Sequence, residues 1–351
     1  MKSFKFIIIS VLSCLLFTGC APEQSNEPIR DTQFLLNTLC TITIYKIDGQ
    51  DEAENKQDLI FQAFDLIVEY EALFSMTIEN SDVWRINHAG GEETTVSQPT
   101  IDIIKQSLMY SELSDGMFDI TIGRLTNLWK SSEVLDDIEA ELPNARETVD
   151  FKQIELSETG KTVRLNNPDA QIDLGGIAKG YIADRVSEFL IENGVKSALI
   201  DLGGDIITIG SRTQGDGSAA QGDGSLVLHW RIAVREPFGS GMSNFFGIIN
   251  TGEAAIVTSG IYERYFENDG IIYHHIIDPT TGYPSDTDVV SATVVSEKVI
   301  TGDVLASIIV LIGSEKAEPL LNQVPGFIGA LLILDNGEYI IYGDVDFTVN
   351  I

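Results

Sequence analysis

The chain has 351 residues, 44% of them hydrophobic and 21% charged, with 31 Gly and 10 Pro. These proportions exclude a disordered polymer, a collagen and a coiled coil, and leave a globular body long enough for a substantial core. With 22 Lys and Arg against 53 Asp and Glu the formal charge is −31, the wrong sign for holding nucleic-acid phosphates, so DNA and RNA are poor partners.

Lys2 and Lys5 precede an apolar run from Phe6 to Phe17, too short for the ~20 residues of a bilayer span. Residues 1–19 therefore read as a signal peptide. Phe17-Thr18-Gly19-Cys20 resembles the bacterial lipobox and makes Cys20 the expected lipidation site. The alternative is cleavage nearby with Cys20 left free. Residues 20–33, rich in Glu, Pro, Ser and Asn, read as a tether to a body at 34–351. A lipid anchor places that body at the cell membrane, on its extracytoplasmic face, with the acyl chains supplying the affinity that an acidic surface cannot.

Cys14 leaves with the signal peptide and Cys20 is the lipid site, so Cys40 has no partner and no disulfide is expected. The alternation Thr38–Tyr45 predicts a strand in which Cys40 is a small core residue. Leu59, Ile60, Ala63, Phe64, Ile67 and Val68 have helical spacing within Asp51–Phe74, and a second helix is expected over Thr100–Ser114, ended by Gly116. Ile172–Asn193 reads as a strand end, a glycine turn and a helix. Strands are then expected at Ser197–Leu202, Ile206–Ile209, Leu226–Val234, Phe245–Asn250, Ala254–Thr258, Ile271–Ile277 and Val289–Val295. A helix at Gly302–Ile312 and a hairpin around Asp335-Asn336-Gly337 close the series. The fold class is α+β with mainly antiparallel sheet. Residues 211–225, which contain Gln-Gly-Asp-Gly-Ser twice, read as a flexible insertion.

Three segments concentrate chemistry. Asp173–Gly180 puts two glycines where a helix opens, so free amides can face an anion, with Lys179 about one turn on. An ordinary turn with a solvated lysine fits the same residues. Asp303 and Ser307 lie four apart on one helix face and supply a carboxylate and a hydroxyl, a pair of oxygen ligands suited to Mg²⁺. An Asp that only complements the helix dipole has the same signature. His274 and His275 are adjacent in a strand that runs into the Asp278–Pro284 turn. They face opposite ways, so one can transfer protons while the other is structural.

Read together, Asp115–Thr121, Asp173–Gly180, Asp201–Gly204, Thr258–Tyr262, His275–Pro284 and Asp303–Ser307 resemble the ordered motif set of the ApbE family, the FAD:protein FMN transferases. The resemblance implies an ApbE-like, T-fold-like single body. It further implies FAD as donor, Mg²⁺ as cofactor, cleavage of the flavin diphosphate, transfer of FMN to a Thr or Ser hydroxyl of an acceptor protein, and release of AMP. On that pattern Asp303, Ser307 and the carbonyl of Gly176 hold the metal, while Lys179 and the Gly175-Gly176 turn face the diphosphate. Leu36, Thr77, Met117, Phe118, Asp119, Asp173, Lys179 and Ile276 line the FAD pocket, and His275 is the general base. An unperturbed imidazole in that role would titrate near ~6.5. The acceptors implied are flavin-bearing redox subunits or FMN-binding domains at the outer membrane face.

Three departures stand out. Ser307 replaces the usual Thr, and Thr77 replaces an aromatic residue that packs on the flavin in many members, while Leu36-Asn37-Thr38 replaces Met-Gly-Thr. Loss of an aromatic partner gives a second expectation, an FAD pyrophosphatase that yields free FMN and AMP. A non-catalytic flavin-binding lipoprotein is the third.

Overall fold

The computed structural model describes residues 27–48, 53–131, 134–212, 229–239 and 244–350. Cys20, the signal peptide at 1–19, the first half of the tether and nearly all of the 211–225 insertion lie outside the described residues.

Strand β1 (Ile29–Leu35) starts inside the segment read as tether and pairs with β2 (Thr38–Ile47) across the two-residue turn Leu36-Asn37. Both turn residues have left-handed backbone, with φ of 53° and 56°, the geometry that lets a two-residue hairpin follow the strand twist. Cys40, Ile42 and Ile44 alternate into the core, where they share a cluster with Ile60, Ala63, Phe64 and Ile67 from one face of α1 (Ala53–Phe74). The short α2 (Asp82–Asn87) is capped by Ser81, whose Oγ accepts the Trp84 amide at 2.9 Å. Next come β3 (Thr94–Thr95), α3 (Gln98–Leu113), α4 (Gly123–Ser131) and α5 (Leu135–Arg146). Strands β4 (Ile154–Leu156) and β5 (Thr162–Leu165) form a small sheet with β3.

Helix α6 (Ala178–Glu192) leads into β6 (Val195–Leu202) and β7 (Asp205–Ile209). Strands β8 (Trp230–Arg235), β9 (Phe245–Thr251) and β10 (Ala255–Gly260) follow, then the hairpin β11 (Tyr265–Asn268) and β12 (Ile271–His274). The C-terminal part comprises β13 (Val289–Ser296), α7 (Val299–Ile312), α8 (Ser314–Leu321), β14 (Phe327–Leu334), β15 (Tyr339–Gly343) and β16 (Asp346–Val349).

Eight strands form one sheet in the order β1-β2-β6-β7-β10-β13-β14-β15, antiparallel at every pairing. One face carries the main core beneath α1, α6 and α7, and the other packs on the three-stranded sheet β16-β9-β8 through Trp230, Ile232, Ile249, Val295 and Leu331. All eight residues of β13 are therefore buried, and α7 is apolar nearly all round because it is enclosed. The expectation of a mainly antiparallel α+β body holds.

The differences are local. The strand expected to run through Ile277 ends at His274; the His275 amide makes one further in-register bond to the Arg264 carbonyl at 3.1 Å, and Ile277 bridges instead to Pro284. Residues at 172 form no strand; only an isolated bridge joins Ile122 to Gln171. Helix α7 begins three residues before the expected Gly302, because Asp184 of α6 accepts the amides of Val299 at 2.8 Å and Ile300 at 3.2 Å. A third cluster joins α4 and α5 to the β11–β12 hairpin, with Trp129, Tyr273 and Phe266 as a stack: Trp129–Tyr273 centroids are 5.6 Å apart and Tyr273–Phe266 5.2 Å.

Candidate active site

The turn before α6 is built by its own Asp. Asp173 Oδ1 accepts the Gly175 amide at 2.8 Å, while Oδ2 accepts Thr126 Oγ1 at 2.8 Å and Lys130 Nζ at 3.2 Å from α4. The Leu174 carbonyl takes the amides of Ile177 and Ala178 and starts the helix. One turn on, α6 meets α7 so closely that a Cβ on Gly180 would lie 2.6 Å from Ile300 Cα. This is the physical requirement behind that glycine. The Gly180 amide crosses the same contact to Asp303 Oδ2 at 3.0 Å. Among the described residues no backbone amide donates to the Gly176 carbonyl, which stays free at the head of the helix.

Lys179 points into this junction. Its ammonium is 2.5 Å from Asp205 Oδ2 and 3.7 Å from Asp303 Oδ1, with Asp205 and Asp303 both buried. Burial opposes the charge on Lys179, but Asp205 and then Asp303 outweigh it and hold its pKa above the ordinary lysine range. Ser307, one turn after Asp303, shares a 3.1 Å hydroxyl contact with Ser259 on β10. The elbow, Lys179, Asp303 and Ser307, separated by more than 120 residues of sequence, thus meet where α6, α7 and the sheet join.

The two histidines divide as their strand geometry requires. His274 is buried and occupied at both nitrogens: Nε2 donates to the Ser285 carbonyl at 3.0 Å and Nδ1 accepts the Ile276 amide at 3.3 Å. His275, by contrast, is exposed. Its Nδ1 lies 3.3 Å from the Arg264 carbonyl, an acceptor only, so the proton sits on Nδ1 and Nε2 carries the free lone pair. Crowding by the cleft walls and then the Arg264 charge push its pKa down to about 4. This lies below the ~6.5 of an unperturbed imidazole, because the protein packed around the ring, which keeps an exposed edge, and the Arg264 charge both disfavour the protonated form.

Of the other residues assigned to the pocket, Phe118 touches the elbow and the rest lie in neighbouring segments. Phe118 is buried, and its ring edge would be 3.4 Å from a Cβ on Gly176; Met117 beside it is half-buried. Asp119 is buried with both oxygens engaged: Oδ1 accepts the Thr121 amide and hydroxyl, and Oδ2 accepts the Phe151 amide. Its carboxylate therefore shapes the loop that presents Met117 and Phe118, and burial pushes its pKa up. Ile276 is buried next to His275. Leu36 is half-buried in the β1–β2 turn, where its amide donates to Glu71 Oε1 at 3.1 Å. That hairpin sits close on the Asp201–Gly204 turn, since a Cβ on Gly203 would be 2.3 Å from Thr38 Oγ1. Thr77 is exposed and lines a cavity of about 520 Å³ with Arg124, Asn127, Leu128 and Lys130. Through the Lys130–Asp173 contact this cavity adjoins the elbow.

Sequence reasoning passed over Asp205, Ser259, Thr126, Lys130 and Arg264. Asp205 directly follows the Asp201–Gly204 motif and Ser259 lies within Thr258–Tyr262, so both were within reach. Nothing in the linear pattern of α4 or β11 marks the other three. The oxygen donors named for a cation are the Asp303 carboxylate, the Ser307 hydroxyl and the Gly176 carbonyl, with Asp205 a second carboxylate nearby that is paired to Lys179. Among the described residues no group of three His, Cys, Asp or Glu side chains could hold a metal. This set suits a hard cation that keeps most of its shell for water and phosphate oxygens, and it does not suit zinc.

Comparison with known proteins agrees with this arrangement. The sequence model of the ApbE family matches residues 36–332. The FAD:protein FMN transferase of Treponema pallidum is 32% identical over 336 residues, covering 93% of this chain and 90% of that protein. One from Klebsiella pneumoniae is 35% identical over 305 residues, covering 85% and 87%. Among solved structures, the ApbE protein of Thermotoga maritima superposes with a TM-score of 0.76 at 28% identity, covering 91% of this chain and 97% of that one. The flavin transferase ApbE of Vibrio cholerae gives 0.73 at 26%, covering 90% and 96%. A match over most of the chain, with the same fold and with the motifs gathered at one junction, makes this chain a member of the ApbE family.

Proposed function

We propose that this protein is an Mg²⁺-dependent FAD:protein FMN transferase that cleaves the FAD diphosphate, attaches FMN through a phosphoester bond to a Thr or Ser of an acceptor protein, and releases AMP. The observation that carries the reading is the junction itself: Lys179 and Asp303 meet at the N-terminal end of α6, directly after the Gly175-Gly176 turn. A diphosphate there meets an ammonium, helix-end amides and a hard-cation donor set.

Asp303, Ser307 and the Gly176 carbonyl would hold the Mg²⁺, which supplies charge neutralisation to the phosphate oxygens when bound. The Gly175-Gly176 turn leaves backbone room for the phosphates, and Lys179 presents its charge to them. His275 Nε2 receives the proton of the acceptor hydroxyl as the new O–P bond forms at the flavin-side phosphorus. The bridging P–O bond breaks on the opposite side, and its electron pair leaves on AMP. The half-buried Met117, the buried Phe118 and Ile276, and the rim at Leu36 and Thr77 give an elongated ligand an apolar bed on one side of the junction.

Lipidation at Cys20 would anchor the protein at the extracytoplasmic face of the cell membrane, within reach of membrane redox subunits or FMN-binding domains as acceptors. The lipobox-like Phe17–Cys20 supports this. A second reading, FAD pyrophosphatase, is favoured by one observation: Thr77 offers no ring at the cavity rim. Incubating the protein with FAD, Mg²⁺ and an acceptor domain separates them. A covalent FMN adduct with AMP supports the transferase, equal AMP without acceptor supports the pyrophosphatase, and neither product overturns both.

A further inference from the structure

Asp205 has no role in the reaction as drawn, yet it is the strongest partner of Lys179. It opens β7 and is 1% exposed. Its backbone is fixed from both sides, opposite Leu202 of β6 and Val257 of β10, in the interior of the eight-stranded sheet. Lys179 stands on the first turn of α6 and is 28% exposed at its side chain, with its ammonium directed at a rigid carboxylate. The 2.5 Å contact to Asp205 and the 3.7 Å approach to Asp303 come from different elements, the sheet and α7, and together define the position of the charge.

A lysine side chain carries substantial rotamer entropy, which a ligand must otherwise remove when it binds. Stability alone would be a weak reason for the pair, since buried ion pairs are often no better than apolar replacements. We infer that Asp205 is a positioning residue: it holds the Lys179 ammonium beside Asp303 before the substrate arrives, so that the diphosphate meets a pre-oriented charge. The inference rests on the proposed contact between Lys179 and the diphosphate.

The test is a double-mutant cycle in the full protein, with Asp205→Asn, Lys179→Met and the double variant, reading the affinities for FAD and for riboflavin, which lacks phosphates, beside the melting temperature. Asp205→Asn is expected to weaken FAD about tenfold, the value of one charge-assisted contact, and to leave riboflavin unchanged. In the Lys179→Met background the same substitution should have no further effect on FAD. Equal losses for FAD and riboflavin, or effects that simply add, overturn the inference. An unchanged FAD-to-riboflavin ratio in Lys179→Met overturns the diphosphate contact itself and the inference with it. A normal Lys179 effect with a silent Asp205→Asn overturns the positioning role only. Should Asp205→Asn not fold, Asp205→Glu keeps the charge and moves it by one methylene. It should still lower the FAD-to-riboflavin ratio at an unaltered melting temperature, and an unaltered ratio is the negative result.

Discussion

Gly180 and Asp303 touch across the α6–α7 interface, the amide of one donating to the carboxylate of the other at 3.0 Å, with backbone so close that a Cβ has no place. The bond fixes which way the Asp303 carboxylate faces. Gly180→Ala should therefore force the helices apart, costing about 1–3 kcal/mol, and lower AMP release as Asp303 turns away. Thermal melting and turnover measured together check it, and a variant normal in both would show that the helices yield freely.

Asp303→Asn keeps an oxygen that can accept the Gly180 amide and loses only the charge. Melting should stay near the parent value, while Mg²⁺-dependent AMP release drops by about 100-fold or more. Chelation of Mg²⁺ in the unaltered protein should have the same effect. Turnover that survives both changes would remove the metal from the reaction.

Burial and the Arg264 charge, with His274 and Lys179 adding to them, hold His275 at about 4. The ring is then neutral and basic at Nε2 across the physiological range. The rate should be level from pH ~5 to ~8 as far as this group is concerned and fall only as pH drops through about 4. His275→Asn should remove activity without that acid limb. An inflection near ~6.5, the free imidazole value, would show that the ring is not desolvated.

Asp184 gives a stability prediction of definite sign. Burial outweighs its hydrogen bonds to Val299 and Ile300 and raises its pKa to about 6. The folded state binds this proton more tightly than the unfolded chain, so the contribution of Asp184 is present at low pH and is lost as pH rises from about 4 through about 6. The change is on the order of 2–3 kcal/mol. Asp184→Asn should abolish that slope and cost about 1 kcal/mol for the amide left without an acceptor. Denaturant titrations at several pH values read both, and an unchanged slope would refute the assignment.

Thr77→Tyr restores a ring at the cavity rim and should tighten FAD by about 0.5–1.5 kcal/mol if the flavin stacks there. Flavin fluorescence quenching measures it. An unchanged affinity would place the flavin elsewhere.

Much of this architecture is written in local pattern. The alternation around Cys40, the helical spacing of Ile60, Phe64 and Ile67, and the Asn336-Gly337 turn carry their own geometry, and each forms where it was expected. The early start of α7 does not follow from its own residues, because its cap comes from Asp184, over a hundred positions away. The same holds at the site. Asp173, Lys179 and Asp303 stand in recognisable motifs, whereas Lys130 and Arg264 act through tertiary contacts that leave no trace in a linear sequence. The lowered pKa of His275 is likewise a property of its surroundings.

The aromatic stack of Trp129, Tyr273 and Phe266 has a mechanical consequence. Thr126 and Lys130, on the same helix as Trp129, grip Asp173, while the hairpin that supplies Tyr273 runs straight into His275. The three rings tie these parts together, so a substitution in the stack is felt both at the Asp173 turn and at the strand that leads into His275.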